Sequence, residues 1–200
     1  MRVIAGTARR TVLVTPEGAG TRPTTDRIKE TLFNILAPTL ADASFLDLFA
    51  GSGGIGIEAL SRGAREAVFA DRDSEAIRCI RENLERTKLS DRAQVYPQDA
   101  LSVLRRLESR HAAFDFIFLD PPYGKELERE VLACLSQSCL ADSQTWIIIE
   151  ARTEEDFSWI SDYGFVIDRV KVYGSNKHVF IGRKSDDGGV NEDSDLSGKF

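Results

Sequence analysis

The stretch from residue 45 to residue 56 constrains the fold of this chain more than any other. A mostly apolar run, Phe45 to Phe49, leads directly into a segment with glycines at positions 51, 53, 54 and 56. A short apolar run of this kind is typical of a buried parallel strand. The glycines allow a tight turn into a helix and let a ligand approach the backbone closely. The stretch therefore predicts an α/β fold with a ligand site at this turn.

Asp47 is the unusual residue of the predicted strand. A carboxylate at a buried position is costly in free energy unless it has a partner. A cationic ligand lying across the glycine turn would be such a partner. We therefore treat Asp47 as a candidate binding residue.

Predicted strands and helices alternate from residue 45 onward. The predicted strands are 45–50, 66–71, 93–97, 114–119, 145–150, 164–173 and 177–183, and the predicted helices lie near 54–62, 74–87, 101–107, 127–135 and 153–161. Such alternation predicts a mostly parallel, doubly wound sheet. The final two strands are joined by a tight turn and must be antiparallel to each other.

The chain divides into three predicted segments. Residues 1–40 form an N-terminal extension, in which residues 1–14 are a β-hairpin and a helix begins at Thr24 or Thr25 and is ended by Pro38. Residues 41–183 form the main domain. Residues 184–200 are an acidic tail that we expect to be disordered, because it has little apolar surface to bury.

Charge is unevenly distributed along the chain, whose formal net charge is −6. Residues 1–29 carry six arginine or lysine side chains and two carboxylates, whereas residues 184–200 carry two lysines and five carboxylates. The net charge alone would argue against a nucleic-acid partner. The basic N-terminal segment, however, is the kind of surface that attracts a polyanion.

The cysteines and histidines carry no functional signal. The three cysteines and two histidines show no metal-binding spacing, so we expect no metal site. No apolar run approaches membrane-spanning length, and the chain starts without the apolar core of a signal peptide. These observations predict a cytoplasmic protein.

Four polar features follow four of the predicted parallel strands. They are Asp47 with the glycines, Asp71, Asp99, and the segment from Asp120 to Tyr123. Ligands of open α/β sheets bind at the carboxyl ends of strands, where these features meet.

The glycine pattern by itself leaves the ligand open, since it fits a dinucleotide, S-adenosylmethionine, or a close helix–strand crossing. Asp71 is spaced to bind ribose hydroxyls in either ligand. Asp99 is placed either to accept a hydrogen bond from an adenine amino group or to cap the next helix. Asp47 favours S-adenosylmethionine, which carries a cationic amino group and a sulfonium.

The sequence Asp120-Pro121-Pro122-Tyr123 is the most specific motif. Two prolines stiffen the loop and fix the orientation of the preceding carboxylate and carbonyls. A carboxylate and a carbonyl that accept both hydrogens of an exocyclic base amine would direct its lone pair at an electrophile. Tyr123 offers a ring for stacking a flipped base. The alternative is a Pro-Pro turn that only ends a strand.

The segments 47–56 and 120–123 resemble those of amino-methyltransferases that use S-adenosylmethionine. From residue 1 to about 183 the chain resembles the bacterial 16S rRNA (guanine-N2) methyltransferases. The similarity also includes residues 2–6 (RVIAG), 22–34 (RPTTDRIKETLFN) and 58–63 (EALSRG). The acidic tail has no counterpart, and Asp71 is shorter than the glutamate often found at its position.

The resemblance implies a Rossmann-like seven-stranded methyltransferase sheet with an antiparallel last strand and the N-terminal hairpin and helix. It further implies S-adenosylmethionine as methyl donor and a guanine N2 of 16S rRNA, within the small ribosomal subunit or its assembly intermediate, as acceptor. We expect a monomer.

The candidate residues fall into three groups. The catalytic candidates are Asp120, Pro121, Pro122 and Tyr123. The cofactor-binding candidates are Asp47, Phe49, Gly51, Gly53, Gly56, Asp71, Asp99 and Thr25. The RNA-binding candidates are Arg9, Arg10, Arg22, Arg27 and Lys29. Segment 22–29 would cover the cofactor and face RNA phosphates, or would simply be a solvated helix start.

Two other functions remain open at this point. An adenine-N6 DNA methyltransferase would use the same Asp-Pro-Pro-Tyr chemistry, but only about forty N-terminal residues are left here to read base edges. A non-catalytic cofactor- or ribosome-binding module would not need an amine-orienting loop.

Overall fold

The computed structural model describes residues 1–16, 26–122 and 124–184. Arg22, Thr25, Tyr123 and nearly all of the predicted tail lie outside the described residues. The helices are α1 (Asp26–Leu40), α2 (Gly54–Ser61), α3 (Ser74–Thr87), α4 (Ala100–Leu107) and α5 (Leu127–Ser136). The strands are β1 (Ser44–Asp47), β2 (Glu66–Ala70), β3 (Ala93–Tyr96), β4 (Phe116–Leu119), β5 (Trp146–Arg152), β6 (Phe165–Tyr173) and β7 (Asn176–Arg183).

The strands form one seven-stranded sheet in the order β3-β2-β1-β4-β5-β7-β6. Strands β1 to β5 are parallel to one another, and β7 is antiparallel to both β5 and β6. The predicted fold class is therefore confirmed. The strand order reverses between β1 and β4, which is the point where α/β sheets place their ligands.

The element boundaries differ from the prediction mainly at strand ends. Strand β1 stops at Asp47, because the chain then bends into a turn. The turn keeps one backbone hydrogen bond to each neighbouring strand, from Leu48 N to Phe118 O of β4 (3.1 Å) and from Ala50 N to Ala70 O of β2 (3.0 Å). The helix predicted near 153–161 is a 3₁₀ segment, Ser158–Tyr163. No helix among the described residues is both long and apolar enough to cross a membrane.

Pro38 does not end helix α1, as we expected, but lies inside it. Leu36 and Leu40 are both buried, at 1% and 2% exposure. Since residues four apart share one face of a helix, one further turn places Leu40 against the core. That apolar burial outweighs the backbone hydrogen bond that proline cannot donate.

Residues 1–14 pair as predicted, but through a single antiparallel bridge between Arg2 and Val12 and not through two regular strands. Glu58 of α2 holds this segment to the domain, since its carboxylate accepts hydrogen bonds from Ile4 N (2.8 Å) and Ala5 N (3.0 Å). Val3 is 1% exposed and belongs to the same apolar cluster as the sheet residues. The extension and the sheet thus share a core.

Lys29 was predicted to bind RNA, and this prediction is wrong. Its side chain is fully buried and lies 3.4 Å from Glu58 Oε2, and its ammonium donates a hydrogen bond to Arg2 O (2.6 Å). Burial lowers the pKa of Lys29, while the charge of Glu58 acts to raise it. The sequence of a basic segment predicts a surface cation at each basic residue, because it does not show which helix face the residue occupies. Lys29 lies on the face of α1 that packs against α2, and this position buries it.

Lys29→Met is expected to lower the free energy of unfolding by about 1–2 kcal/mol and to leave RNA affinity unchanged. The loss stays moderate because Glu58 keeps Arg62 Nε at 2.8 Å and the two backbone donors. Urea denaturation and RNA binding at two salt concentrations measure both effects. Arg27→Met, on the exposed side of the same helix, is the matched comparison. Weaker RNA binding by Lys29→Met at unchanged stability would contradict the burial argument.

Candidate active site

A cavity of about 810 Å³ opens at the carboxyl ends of the parallel strands, around the β1/β4 reversal. One part is lined by residues that follow β1, β2 and β3, including Asp47, Phe49, Gly51, Asp71 and Asp99. The other part is lined by residues that follow or end β4 and β5, including Asp120, Pro121, Pro122 and Glu150. The sheet therefore brings most of the candidate side chains together in one cavity.

Asp47 is 1% exposed, and its Oδ2 accepts a hydrogen bond from Gly56 N at 3.2 Å. The pKa of Asp47 is raised to about 7, mainly by burial and to a smaller degree by the nearby charge of Asp71. The hydrogen bond from Gly56 acts in the opposite direction and lowers this pKa. A cation entering the cavity would stabilise the ionised form. Asp47 thus suits a ligand with a positively charged group.

Gly51 lines the cavity and has a φ of +54°, and a methyl group built on its Cα would meet no atom within 4 Å. The positive φ favours glycine at this turn. Gly51 N donates to Asp71 Oδ2 (2.8 Å), and Asp73 N donates to Asp71 Oδ1 (2.9 Å). These bonds hold the Asp71 carboxylate at the cavity wall, where the predicted ribose contact would form.

Gly53 and Gly56 were predicted to bind the cofactor, but the structure gives them packing roles. Gly53 precedes α2 with a φ of +77°. A Cβ on Gly56 would lie 2.4 Å from the ring of Phe69, so glycine is required for α2 to approach β2. Gly56 still affects the site indirectly, through its hydrogen bond to Asp47.

Asp99 caps helix α4, the alternative that the sequence left open. Its carboxylate accepts hydrogen bonds from Ser102 N (2.9 Å) and Ser102 Oγ (2.7 Å), and these bonds lower its pKa. The adenine contact of Asp99 stays a prediction.

Gln98, next to Asp99 in the chain, was not among the residues predicted from the sequence. It lines the cavity, and its buried Oε1 has no hydrogen-bond partner among the described residues. No sequence pattern distinguishes this glutamine from a loop residue.

Asp120 directly follows β4, and Pro121 and Pro122 continue along the cavity wall. Burial raises the pKa of Asp120 well above its ordinary value, and the charges of Glu150 and Asp47 raise it further. The three carboxyl groups are therefore close enough to interact, although they come from three different strands.

Glu150 was not among the candidate residues, and the two histidines carried no functional signal in the sequence. The structure places Glu150, at 4% exposure, opposite the fully buried His178 in the β5–β7 pairing. His178 Nε2 lies 3.3 Å from Glu150 Oε2, and Asn176 Nδ2 donates to Glu150 Oε1 at 3.3 Å. The pair joins residues 28 positions apart, so no local sequence signal reveals it.

These residues fit S-adenosylmethionine. The buried carboxylate of Asp47 matches its cationic end, Asp71 matches its ribose, and the unpaired Gln98 oxygen matches a donor such as an adenine amino group. Among the described residues no group of histidine, cysteine, aspartate and glutamate side chains is arranged to hold a metal ion.

Residues 1–182 match the protein family described as Conserved hypothetical protein 95. The chain belongs to this family. YlbH of Bacillus subtilis (strain 168) is similar to this chain: it is 39% identical over 175 residues, which cover 87% of this chain and 94% of that protein. Ribosomal RNA small subunit methyltransferase D of Escherichia coli (strain K12) is 38% identical over 174 residues, 87% of this chain and 85% of that protein.

Solved structures agree with this assignment. The structure of yhhF from Escherichia coli superposes with a TM-score of 0.78 at 33% sequence identity, covering 92% of this chain and 98% of that chain. The superposition thus extends over almost the whole of both chains.

Proposed function

We propose that this protein transfers a methyl group from S-adenosylmethionine to the exocyclic N2 of a guanine in 16S rRNA of the small ribosomal subunit. The observation that carries the proposal is the single cavity shared by Asp47, Gly51 and Asp71 on one side and Asp120, Pro121 and Pro122 on the other. Its relatives from Escherichia coli and Haemophilus influenzae are both named Ribosomal RNA small subunit methyltransferase D.

The cavity supports a direct transfer. When bound, the cofactor supplies an electrophilic methyl group on a sulfonium. The Asp120 carboxylate and the Pro121 carbonyl accept the two N–H hydrogens of the base amine and turn its lone pair toward that methyl group. The new nitrogen–carbon bond forms as the carbon–sulfur bond breaks, and the nitrogen then loses one proton. Asp120 accepts that proton, and its raised pKa suits it to do so. Tyr123 stacks on the base.

The RNA is held by the exposed arginines of the N-terminal extension. Arg9 and Arg10 are exposed in the turn between the paired residues Arg2 and Val12, and Arg27 is exposed on α1. Their guanidinium groups suit phosphate oxygens. The roles predicted for Arg22 in RNA binding and for Thr25 in cofactor binding stay predictions, because both residues lie outside the described part of the chain. We propose that the protein acts as a cytoplasmic monomer on the small subunit or its assembly intermediate.

Methyl transfer from labelled S-adenosylmethionine to small subunits that lack the modification tests this function. Naked 16S rRNA and duplex DNA serve as parallel substrates, and the RNA is digested to nucleosides to identify the product. N2-methylguanosine in subunit RNA is the expected product. Label on DNA adenine would replace the proposal with the adenine-N6 activity. Cofactor binding without transfer to any of the three substrates would contradict an enzymatic role on them.

A further inference from the structure

Glu150 stands beside Asp120 on the neighbouring strand. The β4–β5 pairing aligns Phe118 with Ile148 and Leu119 with Ile149. The next step of the same register brings Asp120 level with Glu150, and both residues line the cavity. Since neighbouring strands lie about 4.8 Å apart, a flat ligand edge can reach both carboxyl groups at once.

Residues of the neighbouring strand β7 hold the Glu150 carboxylate in place. Besides its contacts with Asn176 and His178, it is fixed by the packing of the His178 ring. That ring lies edge-on to Phe118 (6.0 Å between centroids), Tyr173 (5.1 Å) and Phe180 (6.3 Å). His178 itself is fully buried. These contacts hold the Glu150 carboxylate in one orientation at the cavity wall.

Two adjacent buried carboxylates repel each other, and the charge of Glu150 contributes to the raised pKa of Asp120. A ligand with two neighbouring N–H donors relieves that repulsion. Guanine has such an edge, because N1–H lies next to the N2 amino group. Adenine has an acceptor at N1 instead, which a carboxylate repels.

We propose that Glu150 accepts a hydrogen bond from the guanine N1–H while Asp120 orients the N2 amine, so that Glu150 selects guanine over bases that lack the N1 hydrogen. This inference rests on the proposed function and adds its specificity-determining residue. Asn176 and His178 act as positioning residues for the Glu150 carboxylate.

The test uses small subunits assembled with 2-aminopurine in place of the methylated guanine. This base keeps the 2-amino group but has an acceptor at N1 and no oxygen at C6. Wild-type protein is expected to methylate it roughly 10–100-fold more slowly than guanine. Glu150→Gln offers an amide donor at the same place. This variant should methylate guanine roughly 10–100-fold more slowly than the wild type. The ratio of its rates on guanine and on 2-aminopurine should fall to about threefold or less.

Several outcomes would overturn the inference. Equal wild-type rates on the two bases would do so without any variant. An equal loss by Glu150→Gln on both bases would leave the guanine preference unchanged, so Glu150 would have a structural role only and the C6 oxygen would account for the discrimination. Glu85→Gln, an exposed substitution on α3, is the matched control. Absence of wild-type transfer to guanine subunits would instead overturn the proposed function itself, and the inference with it.

Discussion

Asp120→Asn is expected to reduce kcat for methyl transfer roughly 10³-fold while the dissociation constant of S-adenosylmethionine changes by less than about threefold. Asparagine replaces a charged acceptor with a neutral amide, whose NH2 group cannot accept a hydrogen bond and whose oxygen is a weaker acceptor, so it orients the amine poorly and does not accept its proton. Cofactor affinity should be preserved, because the cofactor contacts are assigned to Asp47, Gly51 and Asp71, whereas Asp120 is assigned to the base amine. Single-turnover transfer and calorimetric titration separate the two quantities.

The rate should also depend on pH through Asp120. Its pKa is raised by burial and by Glu150 and Asp47, and the ionised form is the one that accepts the amine hydrogens. Wild-type kcat should therefore rise with pH until it passes this raised pKa. Asp91→Asn, an exposed substitution far along the chain, is the control. A large loss of cofactor affinity in Asp120→Asn, with kcat retained, would contradict the assigned role.

Asp47→Asn is expected to weaken S-adenosylmethionine binding at least roughly 100-fold and, at the same time, to stabilise the protein at alkaline pH. Asparagine can keep the hydrogen bond from Gly56 N through its oxygen but cannot pair with a cation. Cofactor affinity of the wild type should fall as the pH drops below 7, because Asp47, with a pKa of about 7, must ionise to bind it.

The effect of Asp47 on stability has the opposite pH dependence. The pKa of Asp47 is about 7 in the folded protein and 3.8 in the reference state, so between these values the folded state binds more protons than the unfolded state. Wild-type stability therefore decreases as pH rises through this window, and the full cost is present above pH 7. Asp47→Asn should gain a few kcal/mol at pH 8 and almost nothing at pH 4.

Urea denaturation at the two pH values measures this gain, with Asp168→Asn, exposed on β6, as the control. A variant that binds cofactor normally would exclude Asp47 from the cation site. A variant that is destabilised at pH 8 would show that the buried carboxylate has a partner that burial alone does not reveal. Retention of a costly carboxylate next to a ligand cavity is consistent with a functional residue.

Much of the candidate site could be predicted from the sequence, because each of its motifs consists of residues that are close together in the chain. The glycine turn after β1 and the Asp120-Pro121-Pro122 loop each lie within a few consecutive residues, and the parallel sheet necessarily brings the ends of its strands to one edge. Helix α3 was predicted with its observed bounds, Ser74–Thr87. It starts with an aspartate cap, since Asp73 accepts from Glu75 N at 2.8 Å.

The features that the sequence did not reveal share a physical cause. The burial of Lys29, the close packing at Gly56 and the pairing of Glu150 each depend on a neighbour far along the chain: Glu58, Phe69 and His178 respectively. Pro38 was misjudged for the same reason, since the core contact of Leu40 extends the helix past it.

The sequence by itself determined the α/β class, the position of the cavity and most of the candidate residues that line it, because strand periodicity and turn residues act over short distances. Only the tertiary structure decided which basic side chains are buried, which glycines are in close contact with another element, and which side chain pairs with Glu150. Those outcomes depend on burial and on pairs separated by tens of residues, and the free energies of burial and of hydrogen bonding are set only when the elements meet.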